Sequence, residues 1–235
     1  MKNSVICPNC NTENPFYNLN CSNCRNYLRE RVYNLDLWST ISTIVETPSK
    51  AFKSIIISEH KNFIFFLLLI LSLKYLINAR FVAMLSMGIF ESTISLQYSY
   101  LIMLGFTSIY LSGFSLVYYL VGKTKSFIRY KDTFAILVYS QLPYVFGLII
   151  LFTLELVLFG DYLFSKNPTP FVIKGFLAYL FLLLELTTVV WSAILVLKAF
   201  LVQTKQKLFS VIASIIFFAL LWILIYFCSL IVFTI

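Results

Sequence analysis

The residues best suited to chemistry are four cysteines near the N-terminus, in Cys7-Pro8-Asn9-Cys10 and Cys21-Ser22-Asn23-Cys24. Two CxxC knuckles in a segment too short to own a hydrophobic core point to a metal as the missing source of folding energy. Four thiolates about 2.3 Å from one ion make a structural zinc site. Two disulfides or a reactive thiol pair are the alternative reading, and a reducing cytosol, argued from charge below, selects against both. The residues after the knuckles are Asn11 and Arg25, where glycine often stands. Arg tolerates the left-handed conformation less well than Asn, so the second knuckle is expected to be distorted. With Cys7, Cys10, Cys21 and Cys24 all ligating, the site is closed and catalysis at the metal is not expected.

Lys74 and Glu185 are the ionisable residues deepest in apolar runs, and at 1.5 Å per residue they fall at similar depth. Bare charges there are costly, so the two are expected to form a structural pair rather than a proton relay. Glu155 reads as an interfacial carboxylate near the outer end of the third run, and Cys228 as a small apolar filler. His60 is the single histidine, at the edge of the first run, and reads as surface. There is no HExxH and no phosphate-binding glycine loop, so an enzyme has no residues to stand on.

What must position these residues is a membrane protein. Of 235 residues, 60% are hydrophobic and 12% charged, and the mean hydropathy is +0.88. Soluble domains run nearer 45–50% apolar and about 25% charged. That excludes a soluble enzyme, a secreted disulfide scaffold and a disordered regulator. A β-barrel would alternate apolar and polar residues, which these runs do not.

The periodicity predicts an amphipathic helix over 35–46, with Leu37, Trp38, Ile41, Ile44 and Val45 on one face. Thr47 and Pro48 then start a second, with Ala51, Phe52, Ile55 and Ile56 against Lys50 and Lys53. Both are expected in the membrane interface. Five spans follow, at about 62–80, 99–121, 134–158, 171–198 and 208–234. Residues 81–90 are either a continuation of the first span or a separate surface helix, and 160–170 reads as an outward-facing loop. Gly105, Ser108, Ser112 and Ser115 form a small-residue stripe for close helix packing, and Pro143 should kink the third span. No internal repeat is evident.

The formal charge of +8 gathers at the ends of the runs. Lys123, Lys125, Arg129 and Lys131, then Lys205 and Lys207, fall on the same side as Arg25, Arg29, Arg31, Lys50, Lys53 and Lys61. The opposite connections hold Arg80, Lys166 and Lys174. The positive-inside rule therefore expects a cytosolic N-terminus and an external Ile235. Residues 1–34 begin with a polar segment rather than a basic stub and an apolar run, so no cleavable signal is expected.

Three stretches resemble the prokaryotic branch of the Yip-domain family, five-span membrane proteins named in eukaryotes for interacting with Ypt/Rab GTPases. Glu46-Thr47-Pro48-Ser49-Lys50-Ala51-Phe52 resembles the family's proline-led amphipathic approach to its first span. Lys125-Ser126-Phe127, Phe134 and Tyr139-Ser140-Gln141-Leu142-Pro143 resemble its basic loop and Tyr-to-Pro element. Trp191 to Lys198, followed by Lys205 to Lys207, resembles its exit into the last span. The resemblance runs from about residue 36 to the end, and a zinc ribbon ahead of it resembles prokaryotic members. The eukaryotic Asp-Leu-Tyr-Gly-Pro motif is absent, with Asp36-Leu37-Trp38-Ser39 nearest, and Val138 stands where Gly often precedes the Tyr. Rab binding is therefore not carried over.

The expected molecule is all-α: a five-helix transmembrane bundle with a small N-terminal zinc-ribbon module and interfacial amphipathic helices. Its parts are a ribbon over 1–30, the amphipathic helices over 35–58 and a Yip-like five-span domain over 59–235. It is expected in the cytoplasmic membrane as a non-enzymatic scaffold or membrane-organising protein. Its expected partners are the bilayer, anionic headgroups at the cytosolic face and a protein met through the zinc module; an oligomer is compatible and no nucleic acid is expected. The alternative is a small transporter or channel, with a polar path through the bundle.

Overall fold

The computed structural model describes residues 3–87, 94–124, 126–165 and 168–234. Lys125, Lys166, Asn167, Ile235 and residues 88–90, on which parts of the topology and loop readings fall, lie outside them. The fold is all-α apart from one small sheet. Strands β1 (Ser4–Ile6) and β2 (Glu13–Pro15) pair antiparallel, Val5 opposite Asn14. Helices α1 (Leu37–Glu46) and α2 (Pro48–Ile57) follow, then α3 (Ile64–Met87) and α4 (Leu96–Gly122).

Pro143 breaks the next stretch as expected. Helix α5 (Tyr130–Ser140) ends before Gln141, and α6 (Leu142–Phe146) runs into a π-helical turn over Gly147–Phe152 and then α7 (Thr153–Phe159). A 3₁₀ turn (Gly160–Phe164), the short α8 (Pro170–Ile173), α9 (Gly175–Thr204) and α10 (Lys207–Thr234) complete the chain. Among the described residues, five helical stretches are long and apolar enough to cross a membrane: Ile64–Ser86, Leu96–Gly122, Tyr130–Phe164, Gly175–Thr204 and Lys207–Phe233. The chain is thus an integral, multi-pass membrane protein in contact with lipid.

Four expectations need adjusting. The first span, whose end was left open between residue 80 and a continuation, runs on to Met87. The loop expected over 160–170 opens with the 3₁₀ turn, which buries Leu163, and Gly160 takes a positive φ of 55° that a side chain would strain. The small-residue stripe on α4 is offset from the packed one. Gly105 has open space around it, while Met103, Thr107, Leu111, Ser115 and Tyr118 are buried. Ser115 is buried as the stripe required, but Met103, Leu111 and Tyr118 take much of the packed face, and Gly105 at the other end of the stripe is exposed.

The fourth adjustment concerns α2. Its residues Ala51, Phe52, Ile55 and Ile56 are all at most 2% exposed, so its apolar face is buried in protein rather than at a membrane surface. It packs on α1 and α5. Helix α1 is capped by Asp36, whose side chain accepts from the Ser39 N–H at 2.7 Å. Its Trp38 and Val45 stand exposed two turns apart, 77% and 52%.

The chain divides into two compact units. The first (Met1–Phe65, Leu111–Ser140 and Leu195–Ile216) holds the cysteine module, α1 and α2. Its core includes Tyr118 stacked on Phe200 at 4.1 Å and on Phe209 at 5.2 Å. The second (Phe66–Tyr110, Gln141–Ile194 and Phe217–Ile235) has a core cluster of Phe159, Leu163, Ala178 and Phe181. Cys228 is fully buried, as a filler should be.

Candidate metal centre and charged networks

The cysteine module is two hairpins of the same construction. In the first, the Cys7 N–H donates to Thr12 O at 3.0 Å and the Asn11 N–H to Cys7 O at 3.0 Å. In the second, the Cys21 N–H donates to Asn26 O at 2.9 Å and the Arg25 N–H to Cys21 O at 3.1 Å. Asn11 and Arg25 both take positive φ, 56° and 60°. The second knuckle is therefore regular rather than distorted, because that pair of backbone bonds outweighs the small cost of Arg in the left-handed region. Cys21 and Cys24 repeat Cys7 and Cys10 fourteen residues on. The module is thus an internal repeat, which sequence reading missed because little besides Cys and Asn recurs.

The four Sγ atoms all lie within 4.8 Å of one another. Cys7 to Cys24 and Cys10 to Cys21 are each 3.5 Å apart. Four sulfurs at a zinc–sulfur distance of 2.3 Å would stand roughly 3.8 Å apart in a tetrahedron. The donor set therefore fits one tetrahedral ion, and none of these cysteines is in a disulfide. Asn14 Nδ2 donates to Cys21 Sγ at 3.4 Å, and its Oδ1 accepts from the Ser22 N–H at 2.9 Å. Asn14 is fully buried and locks the two hairpins together, a positioning role the sequence did not flag. Contact with Thr12 pulls the Cys10 thiol down to about 6, the Cys24 backbone N–H lowers Cys21, and burial pushes Cys7 up to about 11.

A second constellation surrounds the C-terminus of α2, whose last carbonyls would otherwise be orphaned. Lys61 Nζ donates to Ile55 O, to Ile56 O and Ser58 O at 3.0 Å, and pairs with Asp132 Oδ1 at 3.1 Å. Arg129 donates to Ile56 O at 3.1 Å and to Asp132 Oδ2 at 2.7 Å, and stacks over Tyr17 at 4.1 Å. Arg29, from the cysteine module, donates to Tyr17 O at 2.7 Å and Ile57 O at 3.0 Å. Lys131 reaches Glu59 O at 2.7 Å, and Arg31 holds Glu59 in a fork at 2.8 and 3.0 Å. That fork keeps the Glu59 carboxyl below its usual range. Burial pulls the Lys61 ammonium down to about 8, with Asp132 opposing the shift. The basic residues read as topology signals are thus also the caps of one helix. Sequence reading missed Asp132, whose carboxylate is almost fully buried.

Beside this junction, a cleft of about 720 Å³ is lined by apolar residues such as Phe16 and Leu201 together with Lys53, Lys198 and Lys205. None of these three lysines has a partner among the described residues. His60 is exposed, as expected.

In the second unit Lys74 Nζ donates to Glu185 Oε1 at 2.6 Å, the pairing expected from depth. Lys74 is 1% exposed. A Cβ added to Gly147 would stand 3.4 Å from Lys74 Cε and 3.7 Å from Glu185 Oε2, so the π-helical turn begins against the pair. Gln141 Oε1 accepts from Tyr75 at 3.1 Å and from Ser192 at 3.0 Å. Glu155, read as an interfacial carboxylate, turns its side chain into protein: it is 6% exposed and its Oε2 has no hydrogen-bond partner among the described residues. No family model, curated protein or solved structure matches the chain.

Proposed function

We propose that the chain is a non-enzymatic membrane-organising scaffold of the Yip-domain kind, seated in the cytoplasmic membrane with its N-terminus in the cytosol. The cysteine module would hold zinc through Cys7, Cys10, Cys21 and Cys24. Bound there, the ion supplies folding energy and leaves no open position for a substrate. The observation that carries the reading is the junction at α2. Arg29 of the module and Arg129 of the basic loop both end on α2 carbonyls, so the module is built into the unit rather than tethered to it. A rigid soluble module set against amphipathic helices is a contact surface for a protein partner.

The membrane side of that surface has its own chemistry. Trp38 and Val45 of α1 present an exposed apolar stripe suited to the headgroup boundary. Lys53, Lys198 and Lys205 offer unpaired cations around an apolar cleft, and a lysine near an anionic leaflet is worth about 1 kcal/mol. Anionic headgroups are therefore the lipid class expected there, with no role for nucleic acid. The test is lipid retention by the purified full chain in mixed micelles, followed by native mass spectrometry. Phosphatidylglycerol should be retained over phosphatidylcholine, and Lys53→Gln, Lys198→Gln and Lys205→Gln together should abolish the preference. Equal retention of both lipids by the parent chain would remove this support.

A transporter is the second reading, and the buried Lys74, Gln141 and Ser192, with the half-buried Glu185 paired to Lys74, are the observation that favours it. Solute or ion flux through reconstituted vesicles, absent from protein-free ones, would put it ahead of the scaffold.

A further inference from the structure

Three ionisable side chains from three helices meet electrostatically inside the second unit. They are Lys74 of α3, Glu155 of α7 and Glu185 of α9. Lys74 and Glu185 are in direct contact at 2.6 Å. Glu155 interacts through space with both, is 6% exposed and leaves Oε2 without a hydrogen-bond partner among the described residues. The other titratable groups in reach are phenols: Tyr144 interacts with Glu185, and Tyr75 with Tyr144 and Tyr110.

The helix carrying Glu155 is shaped to bring it there. Gly147 touches the Lys74–Glu185 pair, and Glu155 lies eight residues further along the same span. In a regular α-helix eight residues overshoot two turns by about 80°. The π-helical turn over Gly147–Phe152 under-rotates the chain by roughly one residue, about 100°, and so returns Glu155 to the face that Gly147 presents to the pair, about two turns further along the helix. Without the π turn the carboxylate would swing toward the lipid face, where its neighbours Leu154, Leu156 and Val157 stand exposed.

The charges do not balance if all three groups are ionised. One ammonium faces two carboxylates, leaving a net negative charge on a membrane-spanning helix beside the buried Lys74 and Glu155, which is strongly disfavoured. Lys74 neutralises Glu185 by contact, so the second carboxylate must take up a cation. A free carboxyl oxygen with no donor near it suits the smallest one. We propose that Lys74, Glu155 and Glu185 form an intramembrane site that binds one exchangeable proton, carried by Glu155. The lysine stays charged throughout and pairs with whichever carboxylate is ionised. The inference does not depend on the scaffold reading and holds equally for a transporter.

The test is infrared spectroscopy of the full chain in phosphatidylcholine nanodiscs at pH 7, reading the carbonyl stretch of protonated carboxyl groups. The parent chain should show one such band that shifts on exchange into heavy water. Glu155→Gln should remove it. Glu185→Gln should remove it too, because Glu155 then becomes the one carboxylate opposite Lys74 and ionises. Lys74→Met should about double it, since both carboxyls are then protonated. The parent spectrum needs no variant to fold, and a missing band there overturns the proposal. A band that survives Glu155→Gln places the proton elsewhere. A band lost in Glu155→Gln but unchanged in Glu185→Gln makes Glu155 an isolated buried acid and dissolves the three-residue site. Loss of the band on adding sodium at constant pH makes the ligand a metal cation, and the proton assignment fails.

Discussion

The N-terminal module has little apolar core of its own, so a metal held by its four thiols would supply much of its folding energy. Its buried apolar side chains are few, Phe16 at 7% exposure and the cysteines themselves among them. Replacing Cys10 or Cys24 with Ser should therefore lower bound zinc from about one per chain to near zero, as measured by elemental analysis of purified protein. The same analysis finding no zinc in the parent chain, with the thiols paired as disulfides, would refute the assignment. Acid should release the metal as protons compete for the thiolates, followed by a zinc-sensitive dye. Lys74 and Glu185 obey the residue-scale rule for buried pairs. Lys74→Met or Glu185→Leu alone should destabilise the protein by about 3–5 kcal/mol, and the two together by much less. Glu185→Leu belongs at the lower end, since Glu155 can take its place opposite Lys74. Thermal unfolding in detergent reads this as a double-mutant cycle, and no coupling between the sites would mean that the contact contributes nothing.

Helix α2 is the element on which the first unit turns. Its apolar face is buried, and its C-terminal carbonyls collect Lys61, Arg29 and Arg129 from three different segments. Lys61→Met would leave Asp132 with Arg129 as its remaining ion-pair partner and strip the helix end of one of its caps, at a cost of about 1.5–3 kcal/mol. Phe52→Ala should cost more, about 3–5 kcal/mol, by opening a cavity in a fully buried position. Limited proteolysis at residues 30–60 should speed up in both variants. Unchanged cleavage would mean that α2 is held by something other than its core face and its cap.

For the whole molecule, the five spans and the distribution of basic residues make one statement about topology. Reporter fusions in the Lys123 to Lys131 connection and after Thr204 should behave as cytosolic, and a fusion at the C-terminus as external. A C-terminal fusion that reports the cytosol would overturn the orientation. Chelating the metal should unfold the cysteine module while leaving most of the helical circular dichroism intact, because the spans need no metal to satisfy their backbone. A collapse of helical signal on chelation would show the module to be a keystone for the bundle instead.

Composition and periodicity by themselves determined the class of this molecule. Long apolar runs can satisfy their backbone in lipid only as helices, so the five spans were readable to within a few residues at most ends. The gathering of the four cysteines was readable for a similar reason, since CxxC spacing leaves two thiols on one turn regardless of what surrounds them. The pairing of Lys74 with Glu185 was legible from depth alone, because an unpaired charge there is too costly to persist. Tertiary structure decided everything that depends on which way a helix faces. In a span nearly every residue is apolar, so hydrophobic pattern says little about which stripe packs and which meets lipid. That is why the stripe on α4 was only partly placed and why the inward turn of Glu155 was not seen; on α2 the apolar face was read correctly, but pattern does not say whether lipid or protein covers it. The π turn that aims Glu155 inward lies in an unbroken apolar run, Gly147-Leu148-Ile149-Ile150-Leu151-Phe152, where an i to i+5 bond leaves no mark in residue type.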